Sequence, residues 1–158
     1  MNEPRSDARR AARLAAVQAL YQMEMSGAGA DEVAREFVEH RFPEIAIPPD
    51  GDLFSAIVQG VPSHQVEIDR AIAGSLSQNW KFERIDSILR AILRCGVFEL
   101  VGRSEVPVKV VIDEYVAVAN DFFGGEEAGF VNGALDAIAR RKRATEFGLP
   151  VPDGELDF

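Results

Sequence analysis

The stretch IDSILRAILRCGVFEL, residues 85–100, decides the fold class. Within it Ile85, Ile88, Leu89, Ile92, Leu93, Val97 and Leu100 recur three and four residues apart, the spacing that aligns side chains on one side of an α-helix. The stripe is broad enough for a helix at the centre of a core. Cys95 falls beside it and reads as a small packing residue rather than a nucleophile, which needs a polar, cation-rich setting.

Outward from this segment the same period continues. Downstream, Pro107 opens a helix with Val108, Val111, Ile112, Tyr115, Val118, Ala119 and Phe122 on one face, and Gly124-Gly125 ends it. A last helix runs from about Glu126 through Val131, Leu135 and Ile138 to Arg140-Arg141-Lys142-Arg143. Glu126 and Glu127 suit its positive end. Upstream, Val66 to Leu76 is in helical register through Ile68 and Ile72, and Pro62 interrupts the preceding helix of Leu53, Ile57 and Val61, which starts at Asp50 or Asp52. Pro43, Pro48 and Pro49 make Phe42 to Gly51 a loop, and Asp31 is expected to cap a short helix through Val33, Phe37 and Val38. Ser6 or Asp7 is expected to cap a first helix carrying Leu14, Val17 and Tyr21 and ending near Met25. No alternating run is long enough for a sheet. The expectation is an all-α fold, a single compact domain of about seven helices in two three-helix sub-bundles, divided between Gly60 and Pro62. Residues 1–144 form the helical domain in this reading, and residues 145–158 an acidic tail.

Composition narrows the function. The 158 residues are 47% hydrophobic and 27% charged, a globular balance with room for a sizeable core. No apolar run reaches the ~18 residues of a membrane span, the N-terminus is polar, and a lone cysteine fits a reducing compartment, so a cytoplasmic protein is expected. A net charge of −9 excludes nucleic-acid binding by the whole surface and leaves it to local patches. Arg5, Arg9, Arg10 and Arg13 against Glu3 and Asp7 make one such patch, and residues 140–143 another.

Enzymatic chemistry finds little support. His40 and His64 have no metal-ligand spacing, and phosphate-cradle, nucleophile-elbow and dinucleotide motifs are missing from the sequence. No catalytic residue, metal or cofactor is expected. Binding chemistry finds more. Arg9, Arg10 and Arg13 stand three and four residues apart, which predicts a solvent-facing row on a helix pinned by Leu14 and Val17. Planar guanidinium forks suit phosphates. Tyr21 and Phe130 are each open to two roles, core packing or a platform for stacked bases. Asn132 can read a base edge or bridge backbone groups.

Several ordered blocks carry a resemblance. They are RRAAR (residues 9–13) with AVQALY (16–21), Asn79-Trp80, Ile92-Leu93-Arg94 with Phe98-Glu99-Leu100, PVKVVIDE (107–114) and FVNGALD (130–136). Together they resemble the bacterial NusB family of transcription factors over roughly Arg9 to Ala139. The resemblance implies a fold of two three-helix sub-bundles and a nonenzymatic adaptor. It implies pairing with NusE, a small-subunit ribosomal protein, on single-stranded boxA of nascent ribosomal RNA. It further implies entry into the RNA polymerase elongation complex with other Nus factors, where termination is suppressed. The RNA contacts it implies are Arg9, Arg10, Arg13, Tyr21 and Phe130, with Lys109 and Asn132. Glu83, Arg90 and Arg94 are its candidates for the partner face. Ala11 interrupts a run that is more continuously basic in some relatives, and Gly129 stands where some have lysine, which implies weaker intrinsic RNA affinity and more reliance on the partner. Leu89 occupies a position where an acidic residue is expected.

Two other readings compete. One is the NusB-like domain of an RNA cytosine methyltransferase system, since fold alone does not assign function. The other is a purely protein-binding helical adaptor. A homodimer that covers the arginine face until NusE or RNA arrives is compatible with the leading reading.

Overall fold

A computed structural model of the protein describes residues 4–77 and 81–151. Among these residues the chain forms seven α-helices and no strand: α1 (Pro4–Ser26), α2 (Ala30–Glu36), α3 (Gly51–Ser63), α4 (Gln65–Ser75), α5 (Ser87–Gly102), α6 (Val108–Phe122) and α7 (Gly125–Lys142). The all-α expectation is met. The chain divides into two units, one ending at Ser63 and the other beginning at His64; Pro62 does not break α3 but lies inside it, one residue before its end. Asn79 and Trp80 lie outside the described residues, as do the last seven residues of the acidic tail.

In the first unit α1 packs along α3, and α2 closes against both. The buried side of α1 is shallow, built largely from Ala12, Ala15, Ala16 and Ala19 with Val17 and Leu20. α1 is helical from the first described residue, Pro4, ahead of the expected Ser6 or Asp7 cap, and proline suits a first helical turn. Asp31 does not cap α2. Gly29 holds that position, and the Asp31 carboxylate accepts from Gln59 Nε2 on α3 at 2.7 Å. Beyond α2 the chain tightens into a π-helical turn, Phe37–Arg41, then a 3₁₀ turn, Phe42–Glu44. Phe37 stacks on Phe54 with centroids 5.7 Å apart, and Phe42 meets the same ring edge-on at 4.9 Å. Asp50 starts α3 by accepting from Leu53 N–H at 3.0 Å, while its own N–H donates to the Ala8 carbonyl of α1 at 2.9 Å.

In the second unit α5 lies against α4, α6 and α7, and α6 and α7 form an antiparallel hairpin. This unit holds one helix more than a three-helix bundle. Asp86 caps α5, accepting from Ile88 and Leu89 N–H at 2.8 and 3.3 Å, and Pro107 precedes the first residue of α6. The stripe read from residues 85–100 is buried at Ile85, Leu89, Ile92, Leu93, Val97 and Leu100. Cys95 is sealed beside it, and burial, reinforced by Glu99 and opposed by Arg94, pushes its thiol well above the ordinary value. Gly96 brings α5 close to Leu135 of α7, where an added Cβ would fall 2.8 Å from a Leu135 methyl.

The basic run at the end of α7 is partly structural. Arg143 donates to the carbonyls of Leu100, Ser104 and Val106 at 3.2, 3.1 and 2.7 Å and to Glu146. Glu146 in turn accepts from Val108 N–H at the head of α6 at 2.8 Å. Arg140 pairs with Asp136 at 2.9 Å and covers the Phe147 ring at 4.6 Å.

Candidate nucleic-acid interface

Helical register on α1 sorts its cations. Arg13 stands three, four and seven residues before Ala16, Val17 and Leu20, all buried, so it shares their stripe. Its side chain is 3% exposed and engaged within the protein. This corrects the expected solvent-facing row of three arginines. Arg10 is exposed and Arg9 half-buried.

The exposed side of α1 carries Arg10, half-buried Leu14, Gln18, Tyr21 and Met25, which fall within about one quadrant of the helix at 100° per residue. Tyr21 is 36% exposed and Met25 56%. The structure therefore places Tyr21 at the surface rather than in the core, one helical face with Arg10. A guanidinium, an amide and a π-surface on one rigid helix can meet phosphate, base edge and base face of a single strand. Gln18 and Met25 escaped the sequence reading, although their spacing from Tyr21 and Leu14 could have placed them.

In the second unit the candidates lie on the α6–α7 hairpin. Lys109 is exposed on the first turn of α6 and pairs with Asp113 at 3.3 Å, a surface contact that an incoming phosphate can displace at little cost. Phe130 is half-buried near the start of α7, and Asn132 is exposed. Gly129 and Gly133 flank them on the open side of α7, where no atom stands within 4 Å of an added Cβ. Along the antiparallel hairpin, Lys109 stands roughly 12 Å of helix axis away from the level of Phe130.

The partner-face candidates separate. Glu83 is exposed in the 3₁₀ turn Phe82–Arg84. Arg94 is only 12% exposed and forks onto Asp69 of α4 at 2.8 and 3.1 Å. Arg90 donates to the Ile85 carbonyl at 2.5 Å and to Ser87 Oγ at 3.1 Å. Both guanidiniums lie near the Phe82 ring, at 5.9 Å for Arg90 and 5.4 Å for Arg94. These two arginines frame the approach to α5, and Glu83 is the candidate that faces outward. Leu89, at the position where an acidic residue was expected, is buried.

No group of three or more histidine, cysteine, aspartate or glutamate side chains is arranged to hold a metal among the described residues. No helix among them is long and apolar enough to cross a membrane.

The transcription antitermination protein NusB of Caulobacter vibrioides is 53% identical over 148 residues, covering 90% of this chain and 99% of that protein. Its counterpart from Maricaulis maris is 51% identical over 152 residues, covering 92% and 94%. A solved structure of T. maritima NusB superposes with a TM-score of 0.72 at 28% identity, covering 94% of this chain and all of that one. A chain from a crystal structure of the antitermination factors NusB and NusE in complex with dsRNA gives 0.74 at 28% identity, covering 85% and 97%. Residues 10–140 match the NusB family, and the chain belongs to that family.

Proposed function

We propose that this protein is a transcription antitermination factor that binds boxA of nascent ribosomal RNA together with NusE and joins the elongating RNA polymerase with other Nus factors. It acts as an adaptor and carries no catalytic residue. The observation that carries the reading is the exposed face of α1, where Arg10 and Tyr21 stand together on the helix of a NusB-family chain. Relatives named as antitermination proteins match over nearly their whole length, which supports this reading over a methyltransferase domain. Arg9, Lys109, Phe130 and Asn132 complete the proposed RNA contacts, and Glu83 the partner contact. The structurally similar complex contains dsRNA, while a stacking platform such as Tyr21 favours unpaired bases.

A gel-shift series tests this, with single-stranded boxA RNA, its duplex and a scrambled strand, each with and without NusE. The expected result is preferential binding of single-stranded boxA, tightened by NusE. Equal retention of the scrambled strand in the presence of NusE would overturn the reading.

A further inference from the structure

The π-helical turn Phe37–Arg41 delivers a cation to the flank of α1. Arg41 is exposed, its guanidinium lies 4.5 Å over the Phe37 ring, and its Nη2 donates to Gln22 Oε1 at 3.0 Å. The other end of the same amide, Gln22 Nε2, donates to Glu36 Oε2 at 2.9 Å. Gln22 thus presents oxygen to the cation and NH₂ to the carboxylate, and Arg41 closes no ion pair among the described residues. A guanidinium held by a ring and one amide keeps further N–H donors for an outside acceptor, and its orientation is set before any ligand arrives. The flat underside of the fork is covered by Phe37, so the exposed edge is what a ligand meets.

Gln22 is the residue after Tyr21. Arg10 and Gln22 are separated by about 18 Å along the axis of α1, a span of several unstacked nucleotides. Gln18, Tyr21 and Met25 are exposed in the interval or just past it. A cation at each end with amide and aromatic surface between, and a thioether just beyond, is the pattern of a single-strand track. Resting on the RNA-binding reading above, we propose that Arg41 is a second phosphate contact for single-stranded RNA, extending its path from Arg10 along α1 past Tyr21.

The test is the salt dependence of boxA RNA binding by the full chain with NusE, comparing the parent protein with Arg41→Gln, Arg41→Lys and Arg10→Gln/Arg41→Gln. Each phosphate contact on a single strand contributes about 0.7 to the slope of log affinity against log salt. Arg41→Gln is expected to lower the slope by about 0.7 and weaken binding about fivefold at 0.1 M salt. The double variant is expected to lose about 1.4. Arg41→Lys keeps the charge and is expected to restore the slope, which a purely structural role for the planar group over Phe37 would not do. An unchanged slope in Arg41→Gln, with the parent still binding boxA, overturns this proposal and leaves the general reading intact. Weakened capture of NusE with an unchanged RNA slope overturns it in favour of a protein contact. Failure of the parent to bind boxA removes both.

Discussion

The phenol of Tyr115 on α6 donates a 2.5 Å hydrogen bond to Oε2 of Glu99 on α5, and both side chains are wholly buried. Arg103 Nε stands 3.9 Å from the other Glu99 oxygen. A carboxylate this deep is tolerable only while donors surround it. Tyr115→Phe is therefore expected to lower the unfolding free energy by about 2–4 kcal/mol, measured by urea denaturation. Adding Glu99→Gln to that variant should cost less than Glu99→Gln does alone. Strict additivity would show that the two groups are not energetically coupled.

Arg10 and Arg13 are adjacent turns of one helix with opposite surroundings. Arg13→Ala is expected to cost about 2 kcal/mol of stability, through lost packing and lost internal contacts. Arg10→Ala should stay within about 0.5 kcal/mol yet reduce the RNA salt slope by about 0.7. Denaturation curves and salt titrations on the two variants separate these roles. The reverse pattern would return Arg13 to the RNA row.

The clasp at Glu146 makes an acid-limb prediction. The Val108 N–H holds the Glu146 carboxyl below its ordinary value, opposed by burial and helped by Arg143. A depressed folded-state value means that the ionised form stabilises the fold above the unfolded-state value, about 4.3. That stabilisation is lost as pH falls through the folded-state value. Glu146→Gln should accordingly lower the melting temperature at neutral pH and flatten its decline below about pH 4.3. Parallel acid limbs for the two proteins in thermal melts would remove Glu146 from the pH dependence.

Two helical glycines should respond to alanine with opposite signs. At Gly96 the new methyl meets the Leu135 methyls at 2.8 and 2.9 Å inside the core. Overpacking of about 1–3 kcal/mol there exceeds the gain of nearly 1 kcal/mol in helix propensity, so a net loss near 1 kcal/mol is expected. At Gly133 nothing stands in the way, and Gly133→Ala should stabilise by about 0.5–1 kcal/mol. Chemical denaturation of both variants checks the signs.

Much of this was legible in the chain. The Ile85–Leu100 stripe, Pro107 at the head of α6 and the end of α3 just past Pro62 are each marked by local rules, because helix period and proline sterics act over a few residues. Arg13 was misplaced because its charge was weighed above its register with Ala16, Val17 and Leu20. The engagement of Arg94 with Asp69, 25 residues away, and of Arg143 with the α5–α6 connection depends on tertiary approach, which periodicity does not encode. Arg41 was invisible for a related reason. The π-helical turn that aims it departs from the 3.6-residue period, and its partner Gln22 lies on a different helix. Tyr21 differs: the sequence left it open between core and platform, and the structure leaves it at the surface.

Sealing Cys95 within α5 leaves the native chain without an accessible thiol, and a protonated, enclosed sulfur reacts slowly with alkylating reagents. A single cysteine introduced at Met25 would then be the site of maleimide labelling, with the natural residue kept in place. A fluorophore attached there would sit beside Tyr21 and signal transcript arrival directly. Labelling of Cys95 itself would proceed only as the fold opens, giving a chemical clock for that event.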